Sequence, residues 1–475
     1  MKRQYPWNNA RNLVIFTLIL LMCCTVAAAN ITFSPDGKGY RFEKDGWTYL
    51  HIEGAPYERG YQHGYLMASE LAEIQDLNRY FVYHDTGMEW NYFINASMEM
   101  YPQHIDDEFN TEMHGIADGA MAAGTNISYD EVLAWNTFIE MMGYWWPQEE
   151  PGAYETMEIM KDSCTAFIAT GDYTKDKGIV FAHTSWYPFE RAHYFDLIED
   201  IQPENGSRIL MQTAPGLLDS TIDFVVTDAG LMITETTIGG FHQYEQNMSP
   251  NFYRMRKAAQ YADSLDEFVT IMDTNRSGGV ANAWLVGDLN TGEIMRFEQG
   301  LKFSSVTKTR NGYFVTANNV ADPRIRNFEV SGFNPTDVRN PVGARLVRLS
   351  QLMEEYKGRL SPDTAKVVLS NHYDVWRRTT TPSSRSIEGA YWLDPDPATS
   401  APAYRPAGSF DGKVGDSAMA ANMSFEARWG LPSGMAFDAD AFLEQHPQWG
   451  YMEDYLKSFP TRSWNVFTIE DKDIP

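Results

Sequence analysis

The hydrophobic pattern of this chain changes type at Cys164, and that change constrains the fold more than any other feature of the sequence. From residue 30 to about residue 162, apolar residues recur mainly at helical spacing, after one short strand over residues 48–52. From Cys164 onward, short apolar runs alternate with turn residues, and residues 164–170 and 179–183 form a predicted hairpin. We therefore expect an α+β fold in which antiparallel sheets are covered by helical layers.

The same patterns predict the remaining elements. Strands are expected over residues 194–201, 208–212, 222–227, 231–235, 283–287, 294–298 and 313–317. Helices are expected over residues 250–263, 343–356 and 361–370, and a further helix is expected to begin at a capping box at Ser264. Residues 145–152 combine tryptophan, proline and glycine and predict an exposed linker, whereas the chain beyond Trp376 gives no assignable pattern.

Composition limits the size of the core and the class of partner. Length alone suggests about three domains, but large single-core folds reach 475 residues, and 43% hydrophobic with 14% aromatic residues can build a sizeable core. The formal net charge of −26 repels phosphate backbones and anionic bilayers. We therefore expect no nucleic-acid partner and no attraction of the whole surface to an anionic membrane.

The N-terminus has the pattern of an export signal over residues 1–29. Lys2, Arg3 and Arg11 precede an apolar run of about 14 residues, and three alanines follow it. The run is short for a membrane span of about 20 residues, so a retained anchor is the minority interpretation and no stable span is expected. The predicted location is extracellular, periplasmic or lumenal, lysosome-like in a eukaryote, and sequons at Asn95, Asn126, Asn205 and Asn422 predict a glycoprotein in a host that glycosylates.

Cys164 is the single thiol outside the predicted signal peptide, because Cys23 and Cys24 lie within it. An exported chain with one thiol forms no internal disulfide, and a lone cysteine is commonly a small buried hydrophobe. As a nucleophile Cys164 would need a base, and no histidine or lysine close to it in sequence has an evident base role. Its own α-amino group, with a pKa of about 7.7–8.0, would serve if the chain were cut before it.

The stretch from residue 162 to 186, together with residues 234–239, resembles the phospholipase B-like family of N-terminal-nucleophile hydrolases, which is related to the penicillin-type acyltransferases and autoproteolytic cysteine peptidases. The matching positions are Cys164 in a Cys-Thr-Ala pattern, His183 and Trp186 in His-x-x-Trp, Thr236 and Thr237 in Glu-Thr-Thr-Ile-Gly, Asn282 before a tryptophan-containing strand, and Arg345 in Gly-Ala-Arg-Leu.

The resemblance implies a four-layer αββα sandwich and self-cleavage between Ser163 and Cys164. The signal peptide would be followed by a mainly helical segment over 30–163 and by a fragment over 164–475 that begins at the nucleophile. The two fragments would stay associated as one globular unit. The resemblance also implies roles for the matching residues. Asn282 would be the oxyanion donor, His183 would be a catalytic residue beside the nucleophile, and Arg345 would support the thiolate or the substrate. Trp186, Thr236 and Thr237 would line the substrate pocket.

Each matching residue also has a structural interpretation. His183 and Asn282 could satisfy buried polar groups, Trp186 could pack in the core, and Thr236 and Thr237 suit a strand. Arg345 could pair with Glu354 or Glu355 instead. Arg339 and Arg348 lie near it in sequence and are alternative matches to the family's arginine.

The related acyltransferases share a Glu-Arg-Gly element, which here is Glu58-Arg59-Gly60. They carry Asn-x-Asp where this chain has His183 to Trp186, and this departure favours the phospholipase B-like side. A papain-like protease is disfavoured because its Cys-Gly-Ser-Cys-Trp pattern is absent.

The predicted function is hydrolysis of an acyl bond, amide or ester, in a small amphiphilic, lipid-like substrate. The alternatives are an acyltransferase that uses an amine acceptor and a processed but catalytically silent lipid-binding protein. No cofactor is expected. We also predict no metal site, because His51, His63 and the scattered carboxylates show no metal-ligand spacing.

Overall fold

The computed structural model of the protein describes residues 1, 31–150, 164–222, 224–332, 334–396 and 402–469. Residues 2–29 of the predicted signal peptide and Ser163 of the predicted cleavage site lie outside this part of the chain. Within it, no helix is both long and apolar enough to cross a membrane. The four sequon asparagines named above are all exposed.

The strands form two large sheets and a two-stranded one. The first has the order β1-β2-β3-β6-β7-β8-β9-β10-β11-β12, the second β13-β4-β5-β17-β18-β19 with β16 also on β5, and the third β14-β15. The pairings between these strands are antiparallel except that of β3 with β6. The strands are β1 Thr32–Phe33, β2 Tyr40–Lys44, β3 Trp47–Gly54, β4 Cys164–Thr170, β5 Val180–Pro188, β6 Leu197–Pro203, β7 Ile209–Thr213, β8 Phe224–Thr227, β9 Leu231–Thr237, β10 Asn282–Asp288, β11 Glu293–Gln299, β12 Ser304–Thr309, β13 Gly312–Thr316, β14 Tyr373–Asp374, β15 Thr379–Thr380, β16 Ala407–Ser409, β17 Asp411–Asp416, β18 Ser424–Trp429 and β19 Asn465–Thr468.

The helices precede, separate and follow these strands. The α-helices of the described residues are Pro56–Leu66, Ala68–Thr86, Trp90–Met100, Asp107–Ala122, Tyr129–Asn136, Phe138–Glu140, Trp146–Glu149, Phe189–Ala192, Asn251–Tyr261, Leu265–Asp273, Pro323–Phe328, Pro341–Glu355, Pro362–Leu369, Ser417–Ala421 and Ala439–Gln445. Short 3-10 turns lie at Pro102–His104, Gly171–Tyr173, Tyr391–Leu393 and Pro447–Met452, and a π-helical turn at Met141–Trp145.

The two large sheets pack face to face. Phe181 of β5 stacks on Phe224 of β8 with ring centroids 4.3 Å apart, and Phe224 meets Phe425 of β18 edge-on at 5.1 Å. At Gly287 of β10 a Cβ atom would lie 3.1 Å from the side chain of Ile168, so the glycine allows close approach. The main hydrophobic core therefore lies between the sheets.

The outer face of each sheet is covered by helices. Trp284 of β10 packs edge-on against Phe268 of the helix Leu265–Asp273 at 5.7 Å, within a core that also includes the helix Asn251–Tyr261. The helices Pro341–Glu355 and Pro362–Leu369 cover the other sheet, where Phe167 and Val414 belong to one buried cluster with residues of both helices. Four layers in the order αββα result, which confirms the predicted fold.

The helices Pro56–Leu66 and Asp107–Ala122 pack almost backbone to backbone. A Cβ atom on Gly60 would lie 1.9 Å from the carbonyl oxygen of Glu112, so glycine is required there. Arg59 is buried beside this contact and donates to Glu112 Oε2 at 2.6 Å. The Glu-Arg-Gly element therefore stabilises helix packing.

One sequence-based assignment is wrong. Residues 145–149 are helical rather than an exposed linker, and Trp145 and Trp146 are buried. Pro147 is the second residue of the helix Trp146–Glu149, which follows directly on the π-helical turn Met141–Trp145. Both tryptophan rings pack against Phe93, which explains why this aromatic segment is drawn into the core.

Candidate functional site

Cys164 is the first residue of β4 and lies in the interior of the protein. Its side chain is free and the residue is 4% exposed. Burial raises the pKa of the thiol well above its ordinary value, and the nearby Glu235 carboxylate raises it further, while Lys413 and the backbone of Trp186 lower it. In the intact chain the thiol is therefore protonated, and a neighbouring base is needed to activate it.

His183 and Glu235 lie beside the thiol. Strand β5 runs antiparallel to β4 with Ala166 opposite His183, which places the histidine next to Cys164. One ligand-forming atom each of Cys164, His183 and Glu235 lies within 4.8 Å of the other two. Burial, and then the charge of Lys413, hold the pKa of His183 well below its ordinary value, so the imidazole is neutral.

A buried lysine from the C-terminal part of the chain adjoins this group. Lys413 of β17 donates to Ser185 Oγ at 2.6 Å and to Asp411 Oδ2 at 2.9 Å. Ser185 Oγ lies 3.4 Å from His183 Nδ1, and Ser185 N donates to Asp411 Oδ1 at 2.8 Å. A continuous polar network therefore runs from Asp411 through Lys413 and Ser185 to His183.

The backbone of Cys164 is held at both ends by side chains. Its N–H donates to Asn318 Oδ1 at 3.3 Å, and its carbonyl oxygen accepts from Arg345 Nη1 at 2.5 Å. Arg345 also donates to Thr165 Oγ1 at 3.1 Å and to Asn318 Oδ1 at 2.9 Å. Arg345 is thus a site residue, and these contacts replace the alternative pairing with Glu354 or Glu355.

Trp186 covers the arginine. The Arg345 guanidinium carbon lies 4.0 Å from the centroid of the Trp186 ring, a cation–π contact between two fully buried side chains. Gly389 leaves room for the indole, because a Cβ atom there would lie 2.3 Å from it. Trp186 therefore positions Arg345 as well as packing in the core.

Thr236 and Thr237 support the site through Asn318. Thr236 Oγ1 accepts from Asn318 N at 3.0 Å and lies 2.6 Å from Thr316 Oγ1. The carbonyl oxygen of Thr237 accepts from Asn318 Nδ2 at 2.9 Å. Asn318 adopts φ +66°, a left-handed conformation that asparagine tolerates better than most residues. These contacts orient the Asn318 amide so that its oxygen faces Cys164.

Asn282 is buried at the start of β10 and contacts Glu235, which lies beside the Cys164 thiol. With its amide nitrogen facing acceptors, it donates to Glu235 Oε2 at 3.0 Å and to the carbonyl oxygen of Ala281 at 3.1 Å. The residue therefore contacts the cluster through Glu235. Its role as an oxyanion donor stays a prediction, because that role requires an amide proton to turn toward the reacting carbonyl.

Sequence reasoning missed four residues of the site. Asn318, Asp411 and Lys413 lie at least 150 residues from Cys164 along the chain, and Glu235 was read only as part of a motif. A possible signal for Asn318 is the Asn-Asn pair that directly follows a predicted strand. For Asp411 and Lys413 the signal is charge at alternate positions of a strand, which is unusual in a buried sheet.

Strand β5, which carries His183, also contributes Tyr187 to the lining of a narrow cavity. Its lining is mainly apolar and includes Trp135, Phe138, Tyr187, Phe195, Phe252 and Val280. Tyr187 directly follows Trp186 in sequence, whereas Cys164 does not line the cavity. Glu140 and Asp219 also line it, and burial raises their pKa values to about 7 and about 6.

Comparison with known proteins finds several relatives of moderate identity. An uncharacterized protein of Archaeoglobus fulgidus is 29% identical over 293 residues, which cover 57% of this chain and 47% of that protein. Human phospholipase B-like 1 is 30% identical over 124 residues, 24% of this chain and 22% of that protein. Phospholipase B of Crotalus adamanteus is 29% identical over 180 residues, 33% and 32% of the two chains.

These matches each span less than half of the relative's length. The family model described as Phospholipase B matches residues 61–303, which is just over half of the 475 residues. This range includes the hairpin of Cys164 and His183, strand β9 with Glu235, and Asn282. The chain belongs to the phospholipase B family.

Proposed function

We propose that the protein is a self-processing acyl hydrolase that acts on lipid-like substrates, with Cys164 as its N-terminal nucleophile. The observation that carries the proposal is the pair of contacts on the Cys164 backbone, from its N–H to Asn318 and from Arg345 to its carbonyl oxygen. These contacts hold in place the nitrogen that would become the catalytic α-amine.

Self-cleavage would proceed by attack of the Cys164 thiol on the carbonyl carbon of Ser163. A C–S bond forms as the C–N peptide bond breaks, and the thiol proton passes to the departing nitrogen, giving a thioester and a free α-amine. Water then hydrolyses the thioester and restores the thiol. Neutral His183 is the nearby group suited to carry the proton before the α-amine exists.

In the processed protein the α-amine of Cys164 would act as the base. Its pKa of about 7.7–8.0 is close to neutral pH, so it can take the thiol proton and return it to the leaving group. Asn318 Oδ1 would accept one of its hydrogens and so fix its orientation. Asn282 is the predicted oxyanion donor, and loss of such a donor costs about 100- to 1,000-fold in rate.

The two fragments would stay together after cleavage because they share a sheet and a core. Strand β3 of the smaller fragment pairs over its whole length with β6 of the larger. Arg256 of the larger fragment donates to Glu112 Oε1 of the smaller at 3.1 Å, and both side chains are buried. Separation would expose the sheet edge and break the buried ion pair between Arg256 and Glu112.

The relatives named phospholipase B support a lipid substrate, and the mainly apolar cavity lined by Tyr187 is the proposed acyl-chain site. Its aromatic lining suits a hydrocarbon chain. Hydrolases of this fold act largely on amides, so an N-acyl amine is as suitable a candidate as a phospholipid.

The test is to incubate purified processed protein with an N-acylethanolamine and, separately, with a lysophosphatidylcholine. Release of free fatty acid supports the hydrolase. New acyl amide on addition of a free amine indicates an acyltransferase, and binding without release indicates a lipid-binding protein. Iodoacetamide treatment after processing should abolish release while both fragments persist; release that survives alkylation of Cys164 contradicts the proposal.

A further inference from the structure

The cluster around the thiol combines three different metal-ligand types. Cys164 lies on β4, His183 on β5 and Glu235 on β9, and their ligand-forming atoms are within 4.8 Å of one another. All three residues are buried. Sequence spacing considered only His51 and His63 and does not detect this set, because the three residues come from separate strands.

The donor set matches the preference of zinc. Zn²⁺ binds thiolate sulfur at about 2.3 Å and imidazole nitrogen or carboxylate oxygen at about 2.0–2.2 Å, usually in a tetrahedron. Tetrahedral ligand atoms are then about 3.3–3.8 Å apart. Side-chain rotations that close the present group by about 1 Å would provide three ligands and leave a fourth position open.

Partners for the metal ligands are already in place. A zinc-bound histidine usually donates its second ring N–H to another polar group, and ligating carboxylates are hydrogen-bonded in turn. His183 Nδ1 faces Ser185 Oγ at 3.4 Å, while the buried Nε2 atom has no hydrogen-bond partner among the described residues. Glu235 Oε2 accepts from Asn282.

The nearby lysine does not exclude a cation. Lys413 Nζ forms an ion pair with Asp411 Oδ2 at 2.9 Å, so the carboxylate offsets the charge of the ammonium. Thiolate and carboxylate at Cys164 and Glu235 would neutralise the two charges of Zn²⁺. The ion together with these two ligands is then electrically neutral, which limits its desolvation cost.

We propose that Cys164, His183 and Glu235 bind one Zn²⁺ ion and that the bound ion blocks the nucleophile. Zinc takes the place of the thiol proton, which is released to solvent, and the sulfur lone pair that would attack an acyl carbon is held by the metal. Binding requires only the three side chains, whereas inhibition rests on the proposed function. Zinc is here an inhibitor rather than a cofactor.

The test is to titrate chelator-treated, purified full-length protein with ZnCl₂, using a chromophoric zinc indicator as competitor, and with CoCl₂ while recording absorption. One zinc per chain and a cysteine-to-cobalt charge-transfer band near the ultraviolet are expected. Cys164→Ala, which cannot form this band, and Glu235→Gln should each weaken zinc binding at least 100-fold. Ser185→Ala should weaken it about 10-fold through the histidine.

Exposed residues provide matched controls. His114→Gln and Glu204→Gln change the same residue types at exposed positions and should leave zinc affinity unchanged. His183→Asn should also weaken zinc binding. If that variant fails to fold, Glu235→Gln and Cys164→Ala still test the site. Zinc binding that survives both variants, or no cobalt band in wild type, overturns the site.

The outcomes for binding and activity separate the two proposals. Zinc binding without any acyl hydrolysis leaves the metal site standing and removes the proposed function. Acyl hydrolysis that is unaffected by zinc at concentrations saturating the indicator overturns the inhibitory site and leaves the proposed function intact.

Discussion

Replacement of Arg345 by methionine tests the geometry of the site most sharply. The guanidinium is fully buried, and its two shortest hydrogen bonds go to Cys164 O at 2.5 Å and Asn318 Oδ1 at 2.9 Å. Hydrogen bonds from charged groups contribute about 1.5–3 kcal/mol each, so loss of these two removes about 3–6 kcal/mol. Methionine packing on Trp186 recovers about 1 kcal/mol. We expect a net loss of about 2–5 kcal/mol.

The assay is urea unfolding in a Cys164→Ala background, which keeps every variant a single uncut chain. Arg339→Met is the matched control, because Arg339 is exposed, lies six residues away and pairs only locally with Asp337. It should leave the transition midpoint unchanged. If Arg345→Met shifts the free energy of unfolding no more than Arg339→Met does, the proposed support of the Cys164 backbone is refuted.

Three further predictions concern charge and catalysis. Replacing Lys413 with Met and Asp411 with Asn together should slow alkylation of Cys164 by iodoacetamide at pH 7, because loss of the lysine raises the thiol pKa; an unchanged rate argues against the electrostatic link. Asn282→Ala should lower acyl turnover about 100- to 1,000-fold while the fold stays intact, and unaltered turnover removes it from the oxyanion role. Burial raises the pKa of Glu140 from 4.5 to about 7. The folded protein should therefore lose about 3 kcal/mol of stability as pH rises from 4.5 to about 7. Glu140→Gln should abolish that loss, which urea unfolding at pH 5 and pH 8 measures.

The elements that carry the nucleophile could be predicted because their signals are local. Turn residues between two β-branched runs define the β4–β5 hairpin, and its antiparallel register then brings His183 next to Cys164. Capping residues likewise marked helix starts: Ser361 accepts from Thr364 N, and Pro362 occupies the first turn of the helix. Such features need no knowledge of the distant chain.

The rest of the site depends on contacts that no local pattern encodes. Lys413 comes from the tail that gave no assignable pattern, and its strand β17 joins the sheet beside β5 only in the folded protein. The same cause explains why the prediction of an exposed linker is wrong for residues 145–149. Their local sequence resembles a loop, and only the long-range contacts of Trp145 and Trp146 with Phe93 bury them. The position of Lys413 and the burial of the two tryptophans therefore both depend on long-range contacts.

The most direct test of the central claim is the intact mass and N-terminal chemistry of purified wild-type protein. The account predicts two associated fragments, the larger beginning at Cys164 and condensing with a cyanobenzothiazole label, which requires an N-terminal cysteine. Cys164→Ala should remain one unlabelled chain. Wild-type protein that stays a single chain after prolonged incubation, or a larger fragment that begins at any other residue, would contradict the account.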